Sequence, residues 1–482
     1  MKAKNLFYTS LLLTTSCLLP TADGFAQFCY AKNIPTDSVN FSIVNADFNK
    51  DGFEDLATVA MDSLVSVLLG DGKGNFASPA NFNIGSGAMG MSVISQDFNK
   101  DGKLDLATAD MMNMNVAVLL GNGDGTFGAP TTFSVAPTPY MLVSADFNKD
   151  GNFDIATANN YSSNNVSILL GHGNGTFGNA INYSVSSSLG TSSIATADFN
   201  KDGNPDLVVG NSDTNYVSVM LGHGDGSFAS ASNLVVGIYL SSWPQSVICV
   251  DLNADNNVDI VSANGGDNTV SVLLGHGNGI FANDTSFAVS PSGHQNNHSQ
   301  SVAAADFNKD GKMDLATANL GSYDVSILLS DGAGGFRDVA NFAVGVYPYM
   351  LTCADFNKDT AIDIAVANAN SNEISILLNC SPLLGIPNLT QVESVNSYPN
   401  PSNGKFNIQI ESPNPKGSDV QINIYNVMGE RVYEAPTLKA VNNNTLQGGG
   451  QIIDISNQPN GIYFLQLKSE TGTGVKKIMI QK

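Results

Sequence analysis

The chain alternates short apolar runs with polar turns, and the pattern recurs about every fifty residues. Residues 91–135 show one unit. Met91-Ser92-Val93-Ile94-Ser95 reads as a strand A, Leu106-Ala107-Thr108-Ala109 as a strand B, Val116 to Leu120 as a strand C and Phe127 to Val135 as a strand D. An Asp/Asn-rich loop joins A to B, the polar stretch Asp110 to Asn115 joins B to C, and Gly121-Asn122-Gly123-Asp124-Gly125 joins C to D. Short β-prone runs bounded by Gly, Asn and Asp describe a four-stranded antiparallel sheet. The A–B loop recurs seven times, beginning at Asp47, Asp97, Asp146, Asp198, Asp251, Asp306 and Asp355. A fixed period of this length signals a repeat architecture. Seven such sheets set radially make a β-propeller, which leaves no long exposed sheet edge. The predicted fold class is all-β, a seven-bladed β-propeller over residues 27–380 followed by a small C-terminal β-sandwich.

The seventh unit lacks a piece. A glycine-rich hairpin ends at Phe76, Phe127, Phe177, Phe228, Phe281 and Phe336, but none follows Ile374 to Leu378. Phe28 stands as far before Asp47 as Phe127 stands before Asp146, so residues 28–35 are expected to supply the missing strand D. That arrangement sets Cys380, at the end of strand C, against Cys29, at the start of strand D, and predicts a Cys29–Cys380 disulfide. On the chain-entropy account a closure of this length adds roughly 4–5 kcal/mol. Cys249 and Cys353 each stand two residues before a loop Asp and are expected to be buried apolar thiols.

The loops carry the candidate chemistry. Each reads Asp-x-Asn-x-Asp-x-x-x-Asp, and the expected metal ligands are positions 1, 3, 5 and 9. These are Asp47, Asn49, Asp51 and Asp55; Asp97, Asn99, Asp101 and Asp105; Asp146, Asn148, Asp150 and Asp154; Asp198, Asn200, Asp202 and Asp206; Asp251, Asn253, Asp255 and Asp259; Asp306, Asn308, Asp310 and Asp314; and Asp355, Asn357, Asp359 and Asp363. Oxygen-bearing side chains at alternating positions suit Ca2+, up to seven ions. An EF-hand is excluded, because position 12 is Thr58, Thr108, Thr157, Val209, Ser262, Thr317 or Val366 where an acid is required. No His or Cys enters any loop, which disfavours zinc and copper. Position 6 is Gly in five copies but Asn256 and Thr360 in the other two, so the seventh site is expected to be the weakest.

Charge agrees with this reading. The net charge is −22 over 482 residues, and the excess acid lies in the repeats, largely as loop Asp. No basic stripe exists, so nucleic acid is not an expected partner. Lys2 and Lys4 precede an apolar run to Leu19 and then Gly24-Phe25-Ala26, which reads as a signal peptide over 1–26. Cys17 raises a lipoprotein signal, but apolar residues continue past it. No later stretch is apolar enough to span a membrane, and an exported monomer is expected.

Asp-Phe-Asn-Lys-Asp-Gly-x-x-Asp, then Leu-Ala-Thr-Ala, then Leu-Leu-Gly-x-Gly-x-Gly-x-Phe resembles the FG-GAP/VCBS repeat family. The resemblance implies a seven-bladed propeller with Ca2+ in the A–B loops, as in integrin α-subunit heads. Residues 398–482 hold Tyr398-Pro399-Asn400-Pro401, Ile424-Tyr425-Asn426-Val427-Met428-Gly429, Gly461-Ile462-Tyr463 and a Lys476-Lys477-Ile478 ending. They resemble the type A sorting domain of type IX secretion in Bacteroidetes, joined by a linker over 381–397. That implies contact with the type IX machinery and a released or surface-held product of a Gram-negative cell.

On the family's geometry the D–A and B–C turns form the face opposite the metal loops. Tyr140, Tyr161, Tyr216, Tyr239, Trp243, Tyr323, Tyr347 and Tyr349 fall there, and Asn159, Asn211, Asn264, Asn319 and Asn368 open the B–C turns. Aromatic planes beside amides suit sugars or extended peptides. The expected function is a secreted or surface binding and adhesion module for glycan or protein ligands. No catalytic constellation stands out: His172, His223 and His276 interchange with Asp71, Asn122 and Asp331 as hairpin residues. The alternatives are a polysaccharide lyase or hydrolase on a propeller scaffold, or a purely structural surface module.

Overall fold

The computed structural model describes residues 28–379 apart from 37, 161–162, 186–189, 240–241 and 290–297, and residues 394–480 apart from 399–401, 404, 412–420, 427–430, 435–439, 442–444, 447–450, 460 and 470–471. The signal-peptide reading, Tyr161 and most of the 381–397 segment lie outside the described residues. The chain divides into two compact units, Met1–Cys380 and Ser381–Lys482.

Unit 1 holds seven four-stranded antiparallel sheets. Blade 2 runs Gly90–Gln96, Asp105–Asp110, Asn115–Leu119 and Thr131–Ser134 as strands A to D. Innermost strands of successive blades pack on one another, and strand A of blade 7 (Pro348–Ala354) packs on strand A of blade 1 (Asn40–Ala46), which closes the ring. Blade 7 borrows its outer strand from the N-terminus: Phe28–Pro35 pairs antiparallel with Glu373–Asn379, from Ile34↔Ile374 out to Phe28↔Asn379. Cys380 and the Cys29 side chain lie outside the described residues, and so does the expected disulfide.

Strand B is the core of each blade. Asp105–Asp110 is buried at every position, because sheets stack on both its faces. Strand D is shorter than its sequence suggests, Thr131–Ser134 instead of Phe127 to Val135. Phe127 makes only an isolated bridge to Gly121, which closes the hairpin before Pro130 interrupts the ladder.

Position 2 of each loop is where blades lock together. Phe98 is buried, meets Phe177 of the next blade edge-on at 5.5 Å, and its carbonyl accepts the Gly175 N–H at 3.1 Å. Phe48 with Phe127 and Gly125, and Phe147 with Phe228 and Gly226, repeat the arrangement. Burying each such ring contributes about 1.5–3 kcal/mol. The apolar second residue of the motif is thus an inter-blade anchor.

Unit 2 is a small sandwich. One sheet pairs Ser394–Tyr398, Lys405–Glu411 and Gln451–Asp454; the other pairs Arg431–Glu434, Gln421–Asn426, Gly461–Ser469 and Gly472–Ile480. Ile422, Ile424, Leu465, Ile478 and Ile480 meet Ile453 and Ile455 in one core. Its first strand starts at Ser394, inside the stretch expected to be linker.

Candidate metal loops and the opposite face

Each A–B loop is folded by its own side chains. In the first, Asp51 N–H donates to Asp47 Oδ1 (3.1 Å) and Asn49 Oδ1 (2.9 Å), Gly52 N–H to Asp47 Oδ2 (2.8 Å), and Phe53 N–H to Asp51 Oδ1 (2.8 Å). The same bonds recur in the seventh loop, where Thr360 N–H reaches Asp355 Oδ2 at 2.8 Å. Position 6 is left-handed throughout, including Asn256 (φ 65°) and Thr360 (φ 70°). Position 4 is left-handed as well, with Lys100 at 59° and Ala254 at 57°. Nothing in the residue type signals that, since Lys is a poor marker for such a conformation.

Position 9 carries a structural duty beside its expected place in the ligand set: Asp105 is the first residue of strand B and is fully buried. Its Oδ2 accepts the Phe98 N–H (2.9 Å) and its Oδ1 the Gly121 N–H (2.8 Å). Asp55, Asp154, Asp206, Asp259, Asp314 and Asp363 each accept two backbone N–H bonds in the same way. The ninth carboxylate therefore pins the loop to the end of its own strand C. The backbone groups of this tight corner need buried partners, and a carboxylate serves two at once.

Electrostatics separate the two kinds of acid. Burial pushes Asp105 up to about 6 in spite of its two amide bonds, and the charges of Asp101 and Asp97 add to the rise. Asp363 is pushed to about 8, again chiefly by burial. Asp202, at position 5 and open to water, is held low chiefly by the Asn204 amide, with Lys149 of the preceding blade contributing. Among the described residues no three His, Cys, Asp or Glu side chains converge as a metal-holding group. What the loop offers a cation is the half-buried oxygens of positions 1 and 3 and the exposed carboxylate of position 5, with the buried position 9 carboxylate beside them, and each carboxylate keeps lone pairs beyond its amide bonds. An all-oxygen donor set is the kind a hard cation such as Ca2+ takes.

The opposite face is less regular. Among the described residues of unit 1, eleven of the fifteen exposed large apolar side chains stand at or beside the B–C and D–A turns, among them Met112, Met114, Ile238, Tyr239, Trp243 and Tyr347. Tyr216 and Tyr323 also lie open there. Two candidates differ. Tyr140 and Tyr349 begin innermost strands, are half-buried, and hydrogen-bond to each other through their hydroxyls. They face the ring's centre at its D–A end, where strand A lines the interior.

The B–C asparagines also turn inward. Asn159 Nδ2 donates to Ser167 Oγ (2.8 Å), Asn211 to Ser218 (2.9 Å), Asn264 to Ser271 (2.8 Å), Asn319 to Ser326 (2.6 Å) and Asn368 to Ser375 (2.9 Å). All five asparagines are buried, so they clamp the turn to strand C and are out of a ligand's reach. The recurring Asn with a Ser one strand later was the overlooked signal. Cys249 and Cys353 are free; burial raises both thiols, that of Cys353 to about 12. The hairpin histidines stand exposed, and His172 N–H closes its turn onto Thr176 O at 2.9 Å.

A closed ring of four-stranded blades, each led by an acidic A–B loop, defines a repeat-built β-propeller. The chain belongs to the FG-GAP-like repeat family, whose model matches residues 47–108, 97–157, 146–209, 198–262 and 251–317. Residues 396–481 match the secretion system C-terminal sorting domain, so the protein is a type IX export substrate, extracellular or held at the cell surface. No curated protein sequence matches significantly. Similar solved structures include BBS1N in complex with ARL6DN (12% identity, TM-score 0.50, covering 74% of this chain and 97% of that one). Another is an Agrocybe aegerita lectin, described as recognising non-reducing terminal N-acetylglucosamine (20% identity, TM-score 0.46, covering 70% of this chain and 87% of that one). Among the described residues no helix is long and apolar enough to cross a membrane.

Proposed function

We propose that this chain is an exported, Ca2+-binding propeller that acts as a monomeric binding and adhesion module, recognising glycan or protein ligands without turning them over. The observation that carries this reading is the contrast between the two faces. One face holds seven near-identical acidic loops; the other concentrates the exposed apolar and aromatic side chains on turns of unequal length. Exposed apolar groups gathered on one face mark an interaction surface. The loops suit a structural cation, because they anchor blade to blade through position 2. Ca2+ would neutralise positions 1 and 5, and the D–A/B–C turns would then be presented on a stiffened ring.

The test is a screen of the full chain against a glycan array and extracellular matrix proteins, with Ca2+ and with chelator. Saturable binding that is lost when residues of the D–A/B–C face are changed supports the reading. Binding to nothing in either screen, or turnover of an acidic polysaccharide, sinks it.

A further inference from the structure

Trp243, His298 and Tyr347 occupy one structural position in three consecutive blades, the residue just before strand A. The backbone there is left-handed, with φ of 51°, 45° and 58°. Blades 3 and 4 share that conformation at Thr138 (59°) and Gly190 (104°). The fold therefore asks for glycine at this place, and blade 4 supplies it. Blades 5, 6 and 7 hold a bulky ring there against the backbone's preference, and strain of this kind gathers at functional sites.

The rings are not core. Trp243 is 39% exposed and Tyr347 37% exposed. They meet across blade boundaries. Trp243 stacks on His298 with centroids 6.4 Å apart and planes 6° from parallel, and Tyr347 leans on Tyr323 at 5.7 Å. Blade 6 supplies both His298 and Tyr323. Its B–C turn is tied to His298 by the Leu320 N–H donating to the His298 carbonyl (3.0 Å). Two ring pairs, each with one member from blade 6, thus make up an arc over blades 5 to 7.

Resting on the reading of this face as the recognition surface, we propose that the arc is a subsite for neutral pyranose sugars. Flat ring faces match the C–H faces of a pyranose, while the indole N–H, the imidazole and two phenol hydroxyls can meet its hydroxyl groups. The acidic propeller repels anionic glycans. A cationic ligand would want a free carboxylate beside the rings. The adjoining B–C turn offers Asp267, which already accepts the Ile238 N–H (2.8 Å) and the Thr269 hydroxyl (2.7 Å).

Trp243 is the only tryptophan in the chain, so its emission reports directly on the arc. The full chain in Ca2+ is titrated with glucose, galactose, mannose, N-acetylglucosamine and their oligomers, following tryptophan emission and heat. Trp243→Gly and Tyr347→Gly are titrated by heat beside it. The expected result is a saturable emission change in the unmodified protein and an affinity loss of about tenfold in each variant. Melting temperatures of the variants should fall only modestly, because glycine's relief of the left-handed backbone offsets part of the lost ring packing. Lowered melting with unchanged affinity would make the rings structural and overturn the proposal. Sugar binding that survives both substitutions moves the site elsewhere, which overturns the arc but leaves the binding module standing. Binding only of a Lys-rich peptide overturns the sugar class, and no ligand of any kind overturns both readings.

Discussion

The hydroxyls of Tyr140 and Tyr349 hydrogen-bond to each other across the centre of the ring. Tyr140 belongs to strand A of blade 3 and Tyr349 to strand A of blade 7, and these blades are not neighbours. Tyr349 also packs edge-on against Phe41 of blade 1 at 4.9 Å. The pair ties opposite sides of the propeller at its D–A end. In a double-mutant cycle of Tyr140→Phe and Tyr349→Phe, urea denaturation should show a coupling of about 1 kcal/mol. Additive effects would mean that both hydroxyls already bond to water.

The two classes of loop acid should respond differently to amide substitution. Asp105→Asn turns an NH2 group toward a backbone N–H and leaves one amide without its acceptor. It should cost about 1–3 kcal/mol in chelator and in Ca2+ alike. Asp101→Asn should barely change stability in chelator but weaken Ca2+ binding by calorimetry. Equal effects of both on Ca2+ affinity, with no cost in chelator, would make position 9 a metal ligand and not a structural pin.

Removing Ca2+ should lower the melting temperature. At free Ca2+ a hundredfold above the dissociation constant, each independent site adds about 2.7 kcal/mol. Scanning calorimetry in chelator against Ca2+ reads this directly, and overlapping transitions would argue against every loop.

The metal-free protein should also have an inverted pH dependence. Asp55, Asp105, Asp154, Asp206 and Asp314 are raised to about 6, and Asp363 to about 8, from an ordinary value of 3.8. With the folded value raised, the native state holds protons that the unfolded chain has released. The contribution is fully present below about 4 and is lost as pH climbs through 6 toward 8. Denaturant midpoints in chelator should fall between pH 5 and pH 8, and Ca2+ should flatten the trend by offsetting the loop charge. A metal-free midpoint that climbs with pH would contradict the burial argument.

Thr360 is the β-branched residue at the left-handed sixth position, φ 70°. Thr360→Gly should stabilise the chain by up to about 1 kcal/mol through relief of strain. The exposed bond from Lys309 Nζ to its hydroxyl (2.9 Å) is a small loss against that. Chemical denaturation measures the net sign, and a destabilised variant would mean that the loop has relaxed around Thr.

Much of this protein is set by local pattern. Alternating apolar runs and Gly/Asn turns determine four strands per unit, the seven acidic loops determine the blade count, and the missing hairpin after Leu378 requires Phe28–Pro35 to finish blade 7. These features depend on backbone preference and chain connectivity, which neighbouring residues encode. The tail's sorting motif is local in the same sense. Side-chain direction is not local. Asp105 and Asp101 are the same residue type four positions apart, yet one pins backbone amides in the core and the other faces water, because strand B begins at Asp105. Asn159 looks like a turn residue until Ser167 of the next strand comes within reach. Tyr140 and Tyr349 look like Tyr347 until the ring closes and brings two distant strands face to face. The sequence determined the architecture and the supply of acids and rings. Only the tertiary structure decided which of them meet solvent, because that depends on strands folded back from many residues away.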